Sequence, residues 1–280
     1  MIPARFDYHV AESVDHAIQL LGQGGGDTKL LAGGHSLIPA LKLRIARPSS
    51  LVDLGRVSGL AGVTDEGTHL SIGALTTHAA LAADPLVNEH CGIVSSTAAQ
   101  IGDPQVRHRG TIGGTTAHGD PASDLPAVLL ALGAEVVARG AGGERTIAAG
   151  EFFTGVFDTA LAADEVLTAI RVPKLGGSTG AAYVKVNRRA QDWATVGVAA
   201  VIHRDNGSIN GASIGLVNMG GTPLRATATE EALASGASVS DAAAVVAEGA
   251  EPPSDHAGSS AYRVHLATVV ARRAIEAALA

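Results

Sequence analysis

Two short stretches carry residue types that can hold a charged ligand. The first is "LLAGGHSLIPALKLR", residues 30–44, and the second is "RGTIGGTTAHGDPASD", residues 109–124. In the first, two apolar residues run into Gly33-Gly34, followed by His35, Ser36 and a helix-like apolar pattern. Glycines at a strand end let backbone N–H groups point outward without a Cβ in the way. Ser36 is placed to cap a helix, and a helix N-terminus adds partial positive charge. Such an arrangement suits a phosphate or pyrophosphate. An ordinary tight strand-to-helix turn uses the same residues, so one Gly-Gly pair alone says no more than that. Two such turns in one chain say more, because a dinucleotide's pyrophosphate needs donors on several sides, although spacing does not name the ligand.

Other chemistries lack their residues. No G-x-G-x-x-G follows a strand, and no Gly-Lys-Ser/Thr marks a P-loop. His35, His78, His90, His108 and His118 are scattered without H-E-x-x-H or Cys/His spacing. Neither Ser36 nor Ser123 sits in a G-x-S-x-G nucleophile elbow, so a hydrolase is not indicated. Cys91 is the single cysteine, which excludes an internal disulfide and a cysteine-ligated cluster within this chain. The net charge of −7 and the lack of any Lys/Arg run argue against nucleic acid as a partner. The N-terminal residues lack the pattern of a signal peptide, and no apolar run approaches the ~18 residues of a membrane span. A cytoplasmic protein is expected.

The turns must be positioned by the elements around them. With 280 residues, 46% hydrophobic but only 3% aromatic, the core must be built from Ala, Val, Leu and Ile. Val14, Ala17, Ile18 and Leu21 lie at helical spacing behind a Ser13 cap. "TKLLAGG" and "SSLVDLG" read as buried strands flanking a short helix, a βαβ-like unit of residues 1–55. A second unit, 56–175, opens with a hairpin around Asp65-Glu66-Gly67. It continues with a helix capped by Thr76 or Thr77, a helix over "CGIVSSTAAQIG", and a helix "SDLPAVLLAL" closed by Gly133. "DEVLTAIRVP" is its last strand. "KLGGSTG", residues 174–180, reads as a linker. A third unit, 178–280, is expected to be a three-stranded antiparallel sheet with an Asn206-Gly207 hairpin, plus a final helix whose apolar face is Tyr262, Leu266, Val269 and Val270.

The ordered set "FDYHVAESVDHAIQLL", "AGGHS" (32–36), "IGDPQVRHRGTIGG", "TIGGT" (111–115), "RRAQDWATVGVAA", "GTPLRA" and "YRVHLATVVARRAIEAA" resembles the FAD-binding medium subunits of molybdenum hydroxylases. The likeness spans nearly the whole chain. It is strongest to the carbon monoxide dehydrogenase type, with the flavin domain of xanthine dehydrogenase more distant. The resemblance implies an α+β chain of the vanillyl-alcohol-oxidase type, with two α+β subdomains around FAD and a C-terminal sheet-and-helix domain. It implies an electron-transfer role in a complex with a large molybdenum-cofactor subunit and a small [2Fe–2S] subunit, as a dimer of heterotrimers. Electrons would pass from the clusters through FAD to an external acceptor. The solitary Cys91 fits a subunit that holds no cluster itself.

Residue by residue, the resemblance implies that Ala32, Gly33, Gly34, His35 and Ser36 wrap the FAD pyrophosphate. Thr111, Gly113, Gly114 and Thr115 would approach the diphosphate and ribityl region from the other side. Ile101 would pack near the ring or ribityl chain. Asp124 would accept from the adenosine ribose, or cap the helix that follows it. Leu161 and Leu167 would touch flavin or adenine, unless they pack in the core. Lys185 would reach the carbonyl edge of the isoalloxazine, or else lie solvated on a strand. Trp193 would stack on the ring where relatives carry Tyr, or else be a core tryptophan. Two alternatives remain: a stand-alone FAD oxidoreductase of the same fold, and a scaffold subunit that has lost FAD. Replacing Gly33 or Gly113 by Val is expected to abolish flavin retention with little effect on the fold.

Overall fold

The computed structural model describes residues 1–280. The chain begins with β1 (Asp7–Val10), α1 (Val14–Gly24), β2 (Thr28–Leu31), α2 (Leu37–Lys42) and β3 (Ser50–Asp53). The three strands pair in parallel in the order β1-β3-β2. The Ser13 side chain accepts from the His16 amide, as its position before the periodic run predicts. β1 is absent from the sequence-based assignment. Its Asp7, Tyr8 and His9 are all exposed, so it carries no alternation to read.

The middle of the chain holds β4 (Val63–Asp65), β5 (His69–Gly73), α3 (His78–Ala83), α4 (Pro85–His90), α5 (Gly92–Ala98), α6 (Pro104–Arg107), α7 (Ile112–His118) and α8 (Asp124–Leu132). β6 (Glu135–Gly140), β7 (Gly143–Ala148), α9 (Ala149–Phe152), β8 (Phe153–Gly155), β9 (Asp158–Thr159) and β10 (Val166–Pro173) follow. The main sheet runs β4-β5-β10-β6-β7 and is antiparallel, so β10 returns to its centre. Thr77, not Thr76, caps α3 through the Ala80 amide. Gly133 ends α8 in the left-handed region, φ 62°.

The last part contains β11 (Thr179–Val186), β12 (Val196–Asp205), β13 (Ser208–Val217), β14 (Leu224–Arg225), α10 (Thr227–Ala234), α11 (Val239–Ala244) and α12 (Ser260–Leu279). The expected three antiparallel strands are joined by a fourth, the two-residue β14, which pairs with β13. Asn206 (φ 49°) and Gly207 (φ 82°) make the β12–β13 turn, both in the left-handed region that this hairpin type requires. The expected face of α12 holds at Val270 and partly at Leu266 but is otherwise displaced. Tyr262 is 47% exposed, while Arg263, Ala267, Val270, Ala271, Ala274, Ile275 and Ala278 are buried. Small side chains let this helix press on the sheet: a Cβ on Gly180 would stand 1.7 Å from the Ala278 carbonyl oxygen. A face made of alanines offers little contrast to the eye that looks for large residues.

β12 serves two cores. Val196, Val198, Ala200 and Ile202 pack toward α12, while Ala199 and Val201 join the core built around α8 and the five-stranded sheet. Every residue of α8 is buried. No helix is long and apolar enough to cross a membrane.

Candidate cofactor-binding site

The first glycine turn leaves the parallel sheet at the carboxyl end of β2. The amides of residues 32 to 37 donate to no acceptor within the chain, whereas Ile38 and Ala40 donate back to Gly34 and Ser36. Gly34 has φ 77°, a conformation that costs any residue with a Cβ. Ser36 precedes α2 but caps nothing: its backbone is already helical (φ −97°, ψ −46°) and its hydroxyl bonds no amide. The expected cap is therefore wrong. A run of free N–H groups beside two exposed polar side chains, His35 and Ser36, remains. Unsatisfied donors gathered in one loop form an anion-binding concavity.

The second turn is built differently. Thr111 caps α7, accepting from the Gly114 amide at 3.1 Å, and Thr115 donates to the Thr111 carbonyl. Ile112 and Gly113 donate to the carbonyls of Thr76 and Ala74 at 3.0 and 2.9 Å. Four consecutive amides are thus satisfied internally. What this turn supplies is close approach and hydroxyls, with Thr115 Oγ1 placed 3.3 Å from Ser123 Oγ. The two turns lie side by side: a Cβ on Gly33 would stand 2.0 Å from the Arg109 carbonyl oxygen, and one on Gly114 would stand 3.8 Å from Ala32 Cβ. A Cβ on Gly113 would meet Ala74 at 2.5 Å. Substituting Val at 33 or 113 would therefore displace backbone, and the expectation that the fold would be little affected is withdrawn.

Asp124 is the first residue of α8 and does not cap it; Ser123 holds the cap position. Its carboxylate is buried and taken up by two partners, the Tyr183 hydroxyl and Lys185 Nζ, the latter at 2.9 Å. Lys185 also donates to the Gln100 carbonyl at 3.0 Å, beside Ile101. Only 5% of the Lys185 side chain is exposed, so it is not a solvated strand residue. Burial pushes the Asp124 carboxyl up, against the opposing pull of Lys185 and the bonds from Tyr183 and Lys185. Burial and the neighbouring carboxylate likewise drive the Tyr183 phenol well above its ordinary value.

Trp193 is 67% exposed, which removes the core-tryptophan reading. It sits in the connection between β11 and β12. Thr195 donates to the Val186 carbonyl, Asn218 Nδ2 donates to the Ala194 carbonyl at 2.9 Å, and buried Arg263 donates to the Thr195 carbonyl. Asn218, at φ 61°, also donates its amide to Pro121, tying the tryptophan loop to the segment that leads into α8. Ile101 and Leu161 are half-buried against the central core, and Leu167 is closed inside it, the core-packing alternative. Two cavities of about 310 and 360 Å³ share Leu175, Gly176 and Thr179, and neither includes a residue of the glycine turns.

Tyr183, Gln100, Asn218 and Arg263 were not anticipated from the sequence. One signal existed: Tyr183 and Lys185 are two apart on a strand and so share a face.

Residues 4–175 match the family described as the FAD binding domain in molybdopterin dehydrogenase, and residues 181–278 match the CO dehydrogenase flavoprotein C-terminal domain. The chain is 42% identical to the carbon monoxide dehydrogenase medium chain of Hydrogenophaga pseudoflava, covering 100% of this chain and 99% of that one. It is 39% identical to the 6-hydroxypseudooxynicotine dehydrogenase complex subunit alpha of Paenarthrobacter nicotinovorans, covering 100% and 96%. Carbon monoxide dehydrogenase from Hydrogenophaga pseudoflava contains a chain that superposes with a TM-score of 0.96 at 44% identity, over 99% of this chain and 98% of that one. The free amides of the first turn, with the second turn packed beside it, suit the diphosphate of the FAD that this family carries. This chain belongs to the FAD-binding medium subunits of the molybdenum hydroxylases, of the carbon monoxide dehydrogenase type.

Proposed function

We propose that this chain is the electron-transfer subunit of a molybdenum hydroxylase complex, receiving electrons from a small [2Fe–2S] partner and passing them to an external acceptor. A large molybdenum-bearing partner would oxidise the substrate, in a dimer of heterotrimers. The run of unsatisfied amides from 32 to 37, packed against the second glycine turn, carries this reading. Bound FAD supplies the capacity to exchange electrons singly or in pairs. The amides and the Ser36 hydroxyl hold the diphosphate, with His35 at the rim. Gly113 lets α7 sit against Ala74 and Gly114 faces Ala32 of the first turn, so the second turn is held beside the first, where Thr111 and Thr115 would border the cofactor. Ile101 and Leu161 line the apolar side. Asp124 fixes Lys185 in place, so a cation stands beside the ring region without roaming in solvent. Trp193 offers its flat face for stacking.

The substrate belongs to the large partner. The relatives at 42% and 39% identity are named for a gas and for a heterocyclic alkaloid derivative, so likeness at this level assigns neither. The test is to purify the chain alone and within its co-expressed complex, denature both, and identify released flavin by chromatography. Stoichiometric FAD in either is the expected result. A folded complex without flavin, even after reconstitution, would leave the scaffold reading in its place.

Trp193 is the sole tryptophan, so its emission reports on this site alone. In the FAD-loaded protein it should be strongly quenched. Asn218→Gly keeps the left-handed backbone but releases the Ala194 carbonyl, costing about 1 kcal/mol of stability. Emission from the loaded variant should rise toward that of the flavin-free protein. Unchanged quenching would show that this tether does not hold the indole over the ring.

A further inference from the structure

The segment that follows the free-amide turn exposes apolar side chains that folding does not explain. α2 ends in a Schellman arrangement: the Arg44 amide donates to Leu41 and the Ile45 amide to Ala40. The residue in the left-handed position is ordinarily glycine, yet here it is Arg44, at φ 59°, which costs roughly 1–2 kcal/mol. The residue after it ordinarily folds back to cover the helix end. Ile45 does not, and is 79% exposed. Leu43 is 56% exposed and Ile38, on the same short helix, 40%. Lys42, Arg44 and Arg47 are interleaved with them, and residues 36–49 contain no carboxylate.

The distribution of ion pairs sharpens the point. None of the eight Lys and Arg residues before position 110 pairs with a carboxylate, whereas nine of the twelve after it do. A chain of net charge −7 thus keeps a carboxylate-free cationic and apolar face beside its free-amide turn, where Arg44 Nε donates to the Ile2 carbonyl and Arg47 Nε to the Arg44 carbonyl while both side chains stay exposed. Such a face does not suit a second copy of itself, because an isologous contact would set cations against cations. A six-residue helix is also too short to lie as an amphipathic anchor in a lipid interface. What complements it is an acidic protein surface with an apolar centre.

We propose that α2 and the loop to Arg47 form the docking surface for an acidic electron-carrier protein, which within the complex is the iron–sulfur subunit. The identity of the carrier rests on the function proposed above; the surface does not. A carrier seated there lies against the turn whose amides hold FAD, since Ile38 directly continues that turn. Apolar contact supplies the buried centre, and Lys42, Arg44 and Arg47 steer and orient the encounter.

The test uses the co-expressed complex, purified by a tag on this chain, with Lys42→Glu/Arg47→Glu and, separately, Ile45→Asp. None of these residues is among those assigned above to the flavin site. Both variants should lose the iron–sulfur subunit by about tenfold or more in native mass spectrometry. FAD content per chain should be unchanged, and the melting temperature of the isolated chain should fall by no more than about 2–4 °C, where Arg47 no longer donates to the Arg44 carbonyl. An intact complex in both variants overturns the proposal, and so does loss of the large subunit alone. Two other results would overturn it as well. One is binding of the wild-type chain to phosphatidylcholine–phosphatidylserine vesicles that charge reversal abolishes; the other is self-association that Ile45→Asp abolishes. A wild-type complex lacking flavin would sink the functional reading while leaving the subunit stoichiometry to judge the surface.

Discussion

Lys185→Met should destabilise this protein by about 3 kcal/mol at pH 8, because it strands a buried carboxylate. Lys185 and Asp124 have side chains only 5% and 7% exposed, and their contact is 2.9 Å. Methionine fills the stem volume but leaves Asp124 with the Tyr183 hydroxyl as its one remaining partner. Burial already raises the Asp124 carboxyl, and Lys185 is the largest influence opposing that rise. Without it the carboxyl climbs further. A carboxyl raised in the folded state binds its proton more tightly there than when unfolded, so stability falls as pH rises from its ordinary value through the raised one. The deficit of the variant should therefore be small at pH 5 and grow toward pH 8. In thermal melts the full effect corresponds to roughly 6–12 °C. Asp124→Asn combined with Lys185→Met should recover much of the loss, since the amide needs no counter-charge. A loss below about 1 kcal/mol at pH 8, or one equal at both pH values, would mean that the pair is not closed to water.

That pair also marks how far the sequence could be read. Local signals were visible wherever cause and effect sit within a few residues. Ser13 and Thr77 cap the helices that follow them, Gly133 ends α8, and Asn206-Gly207 turns β12 into β13. The glycines of both turns could be picked out for the same reason. Their roles could not be separated, because the acceptors that satisfy the Ile112 and Gly113 amides are Thr76 and Ala74, far back along the chain. Asp124 meets Lys185 across 61 positions and Tyr183 across 59. Taken singly, each had a reasonable surface role, and only folding spends them on one another. Trp193 left two readings open, stacking or core, and only the fold separates them: the loop that holds it is anchored by backbone carbonyls to Asn218 and Arg263, leaving the ring outside. β1 and the alanine face of α12 escaped because neither contrasts with its surroundings.

Acid should loosen the site through His78, which the scattered histidines gave no reason to single out. The ring is 3% exposed and its Nδ1 has no partner. Its backbone amide donates to the Gly110 carbonyl at 2.9 Å, and a Cβ on Gly110 would stand 2.9 Å from the ring, so it is wedged beneath the segment leading to the second turn. Burial, with His35 and Arg107 nearby as like charges, pushes its pKa down from 6.5 to about 4. The folded state thus holds fewer protons on this residue than the unfolded state does. The stability this provides is present above 6.5 and is lost as pH falls from 6.5 through about 4, amounting in all to about 3 kcal/mol. His78→Leu keeps apolar bulk and removes the titration. Urea midpoints of wild type and variant, compared from pH 7.5 to 4, should converge or cross as the wild type loses this increment and the variant does not. Parallel curves would refute the assignment. Because the group being charged lies against residues 107–110, the same acid range should also weaken flavin retention, and should do so less in His78→Leu. A fixed ratio of flavin loss between the two proteins across that range would mean that the wedge and the second turn respond to acid independently.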